Sequence, residues 1–398
     1  MTRQEVRDEI LKMNNPNILC MLPTSFGKTR VALDLLNKLY PNVNRIKNNV
    51  LIVVPRLVLI DTWKAEFTKW GYSRYLPYVE FVTYVSLPKK AGHWDYAIFD
   101  ECHHLSERCQ DSLSSFNIAY SILLSATVKR EMCHNFKELF SNLGVYKVNI
   151  KDAIEEEILP DPRVYLIPML LDNKTTDCTI VKNKGKGHPI NISYIERMKW
   201  IGVKNRQINI SCTQQQYYND MSNLIDWYKR KMMGGVRREF YKHMYLRMCG
   251  DRLKWLSDLK TSFVSTLLDQ LKGERTLTFC NGIAQTEVLG THCVNSKNAE
   301  SEQNLQDFNS GRVDHITACN MLDEGVNLVN CRVGIYATLN SSDRMITQKL
   351  GRLLRHEEPI IIIPYYKYTR DEEIVKKMCE NYNPDLVTTI NDLTELQI

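Results

Sequence analysis

Short apolar runs separated by amphipathic stretches constrain this chain more than any other feature. They occur at 18–22 (ILCML), 50–54 (VLIVV), 96–99 (YAIF) and 121–124 (SILL). Between them, 29–39 and 57–70 carry apolar residues at helical spacing. Strands alternating with helices imply a parallel sheet covered on both faces, because the crossover helices pack there. The same alternation returns at 276–280 (TLTFC), 315–318 (HITA), 333–337 (VGIYA) and 359–363 (PIIII). The sequence therefore predicts two α/β units, 1–150 and 273–398. A chain of 398 residues is long enough for two or three domains.

Residues 151–272 differ in texture. From 193 onward they are rich in Tyr, Trp, Met, Lys and Arg, and Gly234-Gly235 and Gly250 divide them into expected helices near 214–233, 236–249 and 251–272. KNKGKGHP, 182–189, reads as an exposed basic loop. The net charge of +6 is uneven: 182–260 holds 17 Lys/Arg against 6 Asp/Glu, so the rest of the chain is slightly acidic. Such a block suggests a polyanionic partner. No apolar run reaches the ~18–20 residues of a membrane span, and MTRQEVRDEILKM lacks the apolar run of a secretory signal. Twelve cysteines without a CxxC pair read as reduced thiols of an intracellular, cytoplasmic protein. Cys102, His103 and His104 adjoin, but no second ligand pair lies nearby, so no metal site is expected there. Abundant Asn, Lys, Ile and Tyr hint at an AT-rich genome, such as that of a virus or phage acting in its host cell.

Four short segments carry chemistry. PTSFGKT, 23–29, joins the first apolar run to a helical pattern. A phosphate loop needs that strand, a tight turn of N–H groups, a lysine and a helix N-terminus. Gly27 supplies the turn, Lys28 would reach the β/γ-phosphates, and the Thr29 hydroxyl would bind magnesium. Leu22 and Ser25 stand where glycine or alanine is common, and GKT alone also fits a ligand-free turn. Asp100-Glu101 follow the run 96–99; one carboxylate can hold magnesium through water and the next can deprotonate the attacking water. A solvated acidic turn is the bland alternative. Ser125-Ala126-Thr127 end another strand. Gln348, Arg352 and Arg355, at i, i+4 and i+7, share one face of an expected helix, and Gly351 permits close backbone approach. Their guanidinium groups could neutralise charge developing on a γ-phosphate; the alternative is a solvated arginine face.

Taken in order, PTSFGKT, DECHH, SAT, DEGVN and QKLGRLLR resemble the motifs of superfamily 2 helicases and translocases, and the resemblance covers nearly the whole chain. VVPRLVLIDTWKAEFTKW, with Trp63, Glu66 and Trp70, is similar to the XPB, UvsW and type III restriction-subunit branch, as are CNMLDEGVNL and LQDFNSG. Asn327 and TQQQYYNDM resemble SWI/SNF-type translocases.

The resemblance implies an α/β fold of two RecA-like parallel-sheet domains, with a basic, mainly helical insertion between them (151–272). ATP and Mg2+ would lie in the cleft. Thr24, Ser25, Phe26, Gly27, Lys28 and Thr29 would bind the nucleotide, with Gly325 and Asn327 from the second domain and Gln4 recognising adenine. Thr29 and Asp100 would hold the metal, and Glu101 would be the catalytic base. His103, Ser125 and Thr127 would couple the site to the second domain. Gln348, Arg352 and Arg355 would reach across the cleft, Arg355 as arginine finger. Nucleic acid, DNA by the branch resemblance, would contact Pro55, Arg56, Thr83, Tyr84 and Asn281, and Arg237 and Arg238 at the tip of a basic arm. The implied activity is that of an ATP-dependent DNA helicase or translocase. The alternatives are an ATP switch with little turnover, the motor subunit of a restriction-type complex, and an RNA helicase.

Overall fold

The computed structural model describes residues 2–24, 26–183, 189–190, 207–235, 237–295, 297–319, 328–340, 349–351 and 353–398. The first sheet holds β1 (Asn17–Met21), β2 (Val50–Val54), β3 (Val79–Thr83), β4 (Gly92–Phe99), β5 (Phe116–Ser125) and β6 (Leu143–Lys147). All pair in parallel, in the order β3-β2-β4-β5-β1-β6. Every residue of β1 and β2 is buried, as expected of strands covered on both faces. Helix α1 (Arg3–Lys12) packs on α2 (Lys28–Leu39), and α3 (Leu59–Lys69) lies beside α2. Leu59, Trp63 and Phe67, four apart, form the buried face of α3.

Topology gathers three of the motifs. β4, β5 and β1 are neighbours in the sheet, with Met21 paired to Ser125 and Phe99 to Leu123. Their carboxyl ends therefore bring the phosphate-loop candidate, Ser125 and Asp100-Glu101 to one edge, where open parallel sheets hold ligands.

The second sheet is also wholly parallel, in the order β12-β13-β11-β14-β15-β7-β16. It contains β7 (Arg163–Met169), β11 (Thr276–Phe279), β12 (Cys293–Val294), β13 (His315–Ala318), β14 (Val333–Tyr336), β15 (Ile360–Tyr366) and β16 (Val387–Thr389). One of these, β7, comes from the segment expected to be linker. It pairs with β15 from Arg163–Ile360 to Met169–Tyr366, so the second α/β unit begins well before residue 273. The largest apolar cluster contains Leu22, Phe26 and Leu36 of the first unit together with Phe279, Leu350 and Ile361 of the second.

A small antiparallel sheet and a helical arm project from the second unit. β8 (Cys178–Asn183) pairs with β9 (Pro189–Ile190) and β10 (Gln207–Cys212), so both ends of the expected basic loop are strand. The arm consists of helices Gln214–Met233 and Arg238–Leu259, joined at Gly234-Gly235. Thr213 caps the first helix in a capping box with Gln216. The expected break at Gly250 is absent; an exposed glycine costs a helix only about 1 kcal/mol relative to alanine. The chain turns instead at Lys260, whose Nζ pairs with Asp371 Oδ2 at 2.8 Å, both side chains 1% exposed. Ser257 Oγ donates to the Ala337 carbonyl (2.9 Å), and the Tyr218 hydroxyl accepts from the Arg370 amide (2.7 Å). The root of the arm is thus bonded into the second unit. Among the described residues, no helix is long and apolar enough to cross a membrane.

Candidate active site between the two sheets

The loop after β1 turns through Gly27 at φ 99°, a left-handed conformation that glycine adopts without a side-chain penalty. Phe26 is turned inward, 3% exposed, so its bulk joins the core rather than the loop's open side. The Thr24 hydroxyl is buried with no hydrogen-bond partner among the described residues. Ser25, the departure from glycine, lies outside the described residues.

Lys28 opens α2, and its Nζ lies 3.1 Å from Glu101 Oε1, an ion pair whose angles fall short of a hydrogen bond. Glu101 itself has φ 47°, uncommon for a residue with a side chain. Its Oε2 lies 3.4 Å from His103 Nδ1, which is 3.0 Å from Ser125 Oγ. Ser125 Oγ in turn donates to the Thr127 carbonyl at 2.9 Å. A continuous polar chain therefore joins Lys28, Glu101, His103, Ser125 and Thr127.

The adjacent carboxylates differ in acidity. Burial, then the charge of Glu101, pushes the Asp100 carboxyl up to about 6, against the Trp63 hydrogen bond and Lys28. Burial also opposes ionisation of Glu101, but Lys28, followed by His103, holds it well below the usual carboxylate range. Trp63 Nε1 donates to Asp100 Oδ2 at 2.9 Å, and the Tyr84 hydroxyl donates to the Asp100 carbonyl at 2.7 Å. The oxygens of Thr29, Asp100 and Glu101 are donors that suit a hard cation such as magnesium.

The second unit meets this loop through Gly351. A Cβ there would stand 2.4 Å from Thr24 Cβ and 3.1 Å from its carbonyl oxygen, so only glycine permits the approach. Arg355 follows the helical residues 349–351 and 353, standing in a turn rather than on the helix face expected for it. It is partly buried; burial lowers its pKa, and the charge of Glu66 on α3 raises it. Gln348, Arg352, Gly325 and Asn327 lie outside the described residues.

Other expected residues are placed differently. Gln4 is exposed on α1, and its amide bonds to Asp8 and Arg7 of the same helix, an arrangement that leaves it engaged away from the loop. Tyr84, expected on the nucleic-acid face, is buried beneath it. Asn281 is half-buried, its Nδ2 donating to the Lys254 carbonyl (3.1 Å) and Asp258 Oδ1 (3.0 Å) at the arm's root. Arg56, Arg237 and Arg238 are exposed, and Pro55 and Thr83 are half-exposed. Trp63 contacts Asp100 directly, a role that its place in the α3 sequence pattern did not reveal.

Residues 3–86 match the family described as type III restriction enzyme, res subunit, and 259–357 match the helicase conserved C-terminal domain. The DNA 3'-5' translocase XPB2 of Sulfurisphaera tokodaii is 24% identical over 385 residues, covering 91% of this chain and 80% of that protein. Together these matches support a superfamily 2 helicase or translocase. The fold of this chain is similar to that of S. cerevisiae Dbp5 bound to RNA and ADP BeF3, with a TM-score of 0.57 and 10% identity over 97% of this chain and 89% of that one. The Pyrococcus furiosus Hef helicase domain aligns with a TM-score of 0.50 and 13% identity, over 94% and 97% of the two chains. The same matches support ATP-dependent activity of the helicase or translocase type, a class whose members act on nucleic acid.

Proposed function

We propose that this superfamily 2 chain is an ATP-driven DNA translocase or helicase that hydrolyses ATP with magnesium between its two sheets. The observation that carries the reading is the polar chain from Lys28 through Glu101 and His103 to Ser125, lying under a loop that Gly351 of the second unit approaches. Lys28 exchanges Glu101 for the β- and γ-phosphates, while Thr24 and the amides around Gly27 contact the same groups. Freed of Lys28, Glu101 regains the basicity needed to accept a proton from the attacking water. Thr29 and Asp100 would hold magnesium, whose charge would offset that of the phosphate oxygens. Arg355, with Gln348 and Arg352, approaches the γ-phosphate as the cleft closes, and Gly325 and Asn327 complete the site. Gln4 turns from Asp8 to adenine on binding. His103, Ser125 and Thr127 carry the change at Glu101 toward the second unit.

DNA follows from the named activity of the Sulfurisphaera relative. Its path crosses Pro55, Arg56 and Thr83 and the turn at Asn281, with Arg237 and Arg238 of the arm gripping beside it. Most of these contacts go to phosphates, so binding depends weakly on sequence and strongly on salt. Phosphate release, measured with single-stranded, duplex and forked DNA and with RNA, tests the reading. Stimulation by DNA above RNA is expected; equal release across the panel, or none above the unstimulated rate, refutes a DNA motor.

A further inference from the structure

We propose that Trp63 and Tyr84 clamp Asp100 and tie the metal site to the nucleic-acid face of the first unit; this rests on Asp100 being the metal-holding carboxylate. Trp63 is 2% exposed on α3, and Tyr84, just after β3, is 6% exposed. The indole N–H reaches Asp100 Oδ2 at 2.9 Å, the Tyr84 hydroxyl reaches the Asp100 carbonyl at 2.7 Å, and the Asp100 amide donates to the Val53 carbonyl at 2.9 Å. Side chain, carbonyl and amide of one residue are therefore held by three segments: α3, the turn after β3, and β2.

The indole can only donate. Its bond engages Oδ2, and the Glu101 amide bonds to the same carboxylate, so the two donors together orient Asp100. Outer groups of this kind orient metal-holding carboxylates and tune metal affinity.

The same three segments reach the surface at one place. β2 pairs with β3 through Val54 and Thr83. Arg56, Leu57 (71% exposed) and Val58 (65%) lead into α3, and Val85 (84%) follows Tyr84. Phosphates held at Thr83 thus lie one residue from Tyr84, and those held at Arg56 lie just before the start of α3, which carries Trp63 in its second turn. Displacement of either segment acts on Asp100 through a buried hydrogen bond. Trp63 and Tyr84 are positioning residues: each acts on the nucleotide through Asp100.

The test uses Trp63→Phe and Tyr84→Phe in the full chain. Affinity for fluorescently labelled ATP is measured in EDTA and across a magnesium titration, beside DNA affinity and the ratio of DNA-stimulated to unstimulated turnover. Metal-free nucleotide affinity is expected to stay within about twofold of wild type, since a single buried bond away from the phosphate loop is removed. The magnesium concentration that half-restores tight binding rises roughly 10–100-fold in Trp63→Phe and less in Tyr84→Phe, and the stimulation ratio falls in both. Wild-type magnesium dependence in Trp63→Phe overturns the clamp. Should Trp63→Phe fail to fold, unchanged magnesium dependence and stimulation in Tyr84→Phe overturn it instead. A wild-type protein whose nucleotide affinity ignores magnesium overturns the metal assignment beneath it, and is distinguishable because no variant is needed to see it.

Discussion

Lys28→Ala tests the centre of the site before any nucleotide binds. The Lys28–Glu101 pair is close, at 3.1 Å, and nearly buried, with side chains 11% and 15% exposed. Burial raises the Glu101 carboxyl, yet Lys28, with His103 behind it, brings it from 4.5 down to about 2. Ionised Glu101 therefore stabilises the nucleotide-free fold at neutral pH, while its neighbour Asp100, pushed the other way by burial and by the Glu101 charge, opposes it. For Glu101 the folded pKa lies below the unfolded one. The contribution is therefore present above pH 4.5 and lost as the pH falls toward 2. Without Lys28, two adjacent carboxylates share one site with no cation between them, so most of that stability disappears at pH 7. Urea unfolding of the nucleotide-free chain measures it for Lys28→Ala, Glu101→Gln and the double variant. The coupling expected from the cycle is about 2–3 kcal/mol, and it shrinks when nucleotide is saturating, because Lys28 then has another partner. Single substitutions that simply add, within about 0.5 kcal/mol, would refute the ion pair as the organiser of the empty site.

The remaining predictions separate the other roles. Glu101→Gln keeps labelled-ATP binding while hydrolysis falls by about 10²–10⁴; loss of binding in a fluorescence titration points instead to a structural role. Arg355→Ala lowers turnover by about 10³–10⁵ with near-normal nucleotide affinity, and equal losses in both mean that it only supports the fold. Replacing Arg237 and Arg238 with alanine lowers the slope of log DNA affinity against log salt by up to about two; an unchanged slope removes the arm from the DNA path. Gly351→Ala places a methyl 2.4 Å from Thr24 Cβ, so turnover falls and small-angle scattering shows a larger radius; an unchanged radius means that the approach to Thr24 is dispensable.

The fold was legible wherever burial on both faces left an apolar run. β2 and β13 match the sequence reading residue for residue, and β1 differs by one position. β7 was not legible, since RVYLIPM lies beside acidic and proline-rich residues and becomes a strand only by pairing with β15, nearly two hundred residues away. The arm's second helix ran past Gly250 because its true end is fixed by Lys260 meeting Asp371, a contact with no local signature. In the site, phosphate-loop and carboxylate candidates were legible as short strings at strand ends. The place of Tyr84 was not: the residue leaves β3 pointing beneath the surface, and nothing in its neighbours says that Asp100 is its acceptor. Arg355 was expected on a helix that ends before it, where the Arg355 and His356 amides both bond to the Leu353 carbonyl.

The buried Lys260–Asp371 pair gives the arm a mechanical meaning. With Ser257, Tyr218 and Asn281 also bonded at its base, the hairpin is tied to the second unit at its root. Its first helix has 20 residues, which makes a lever about 30 Å long. A rotation of roughly 10° as the cleft opens or shuts carries the Gly234-Gly235 tip about 5 Å, somewhat more than the 3.4 Å spacing of successive nucleotides along a strand. A swing of that size at the cleft would thereby be enlarged at the far end of the arm.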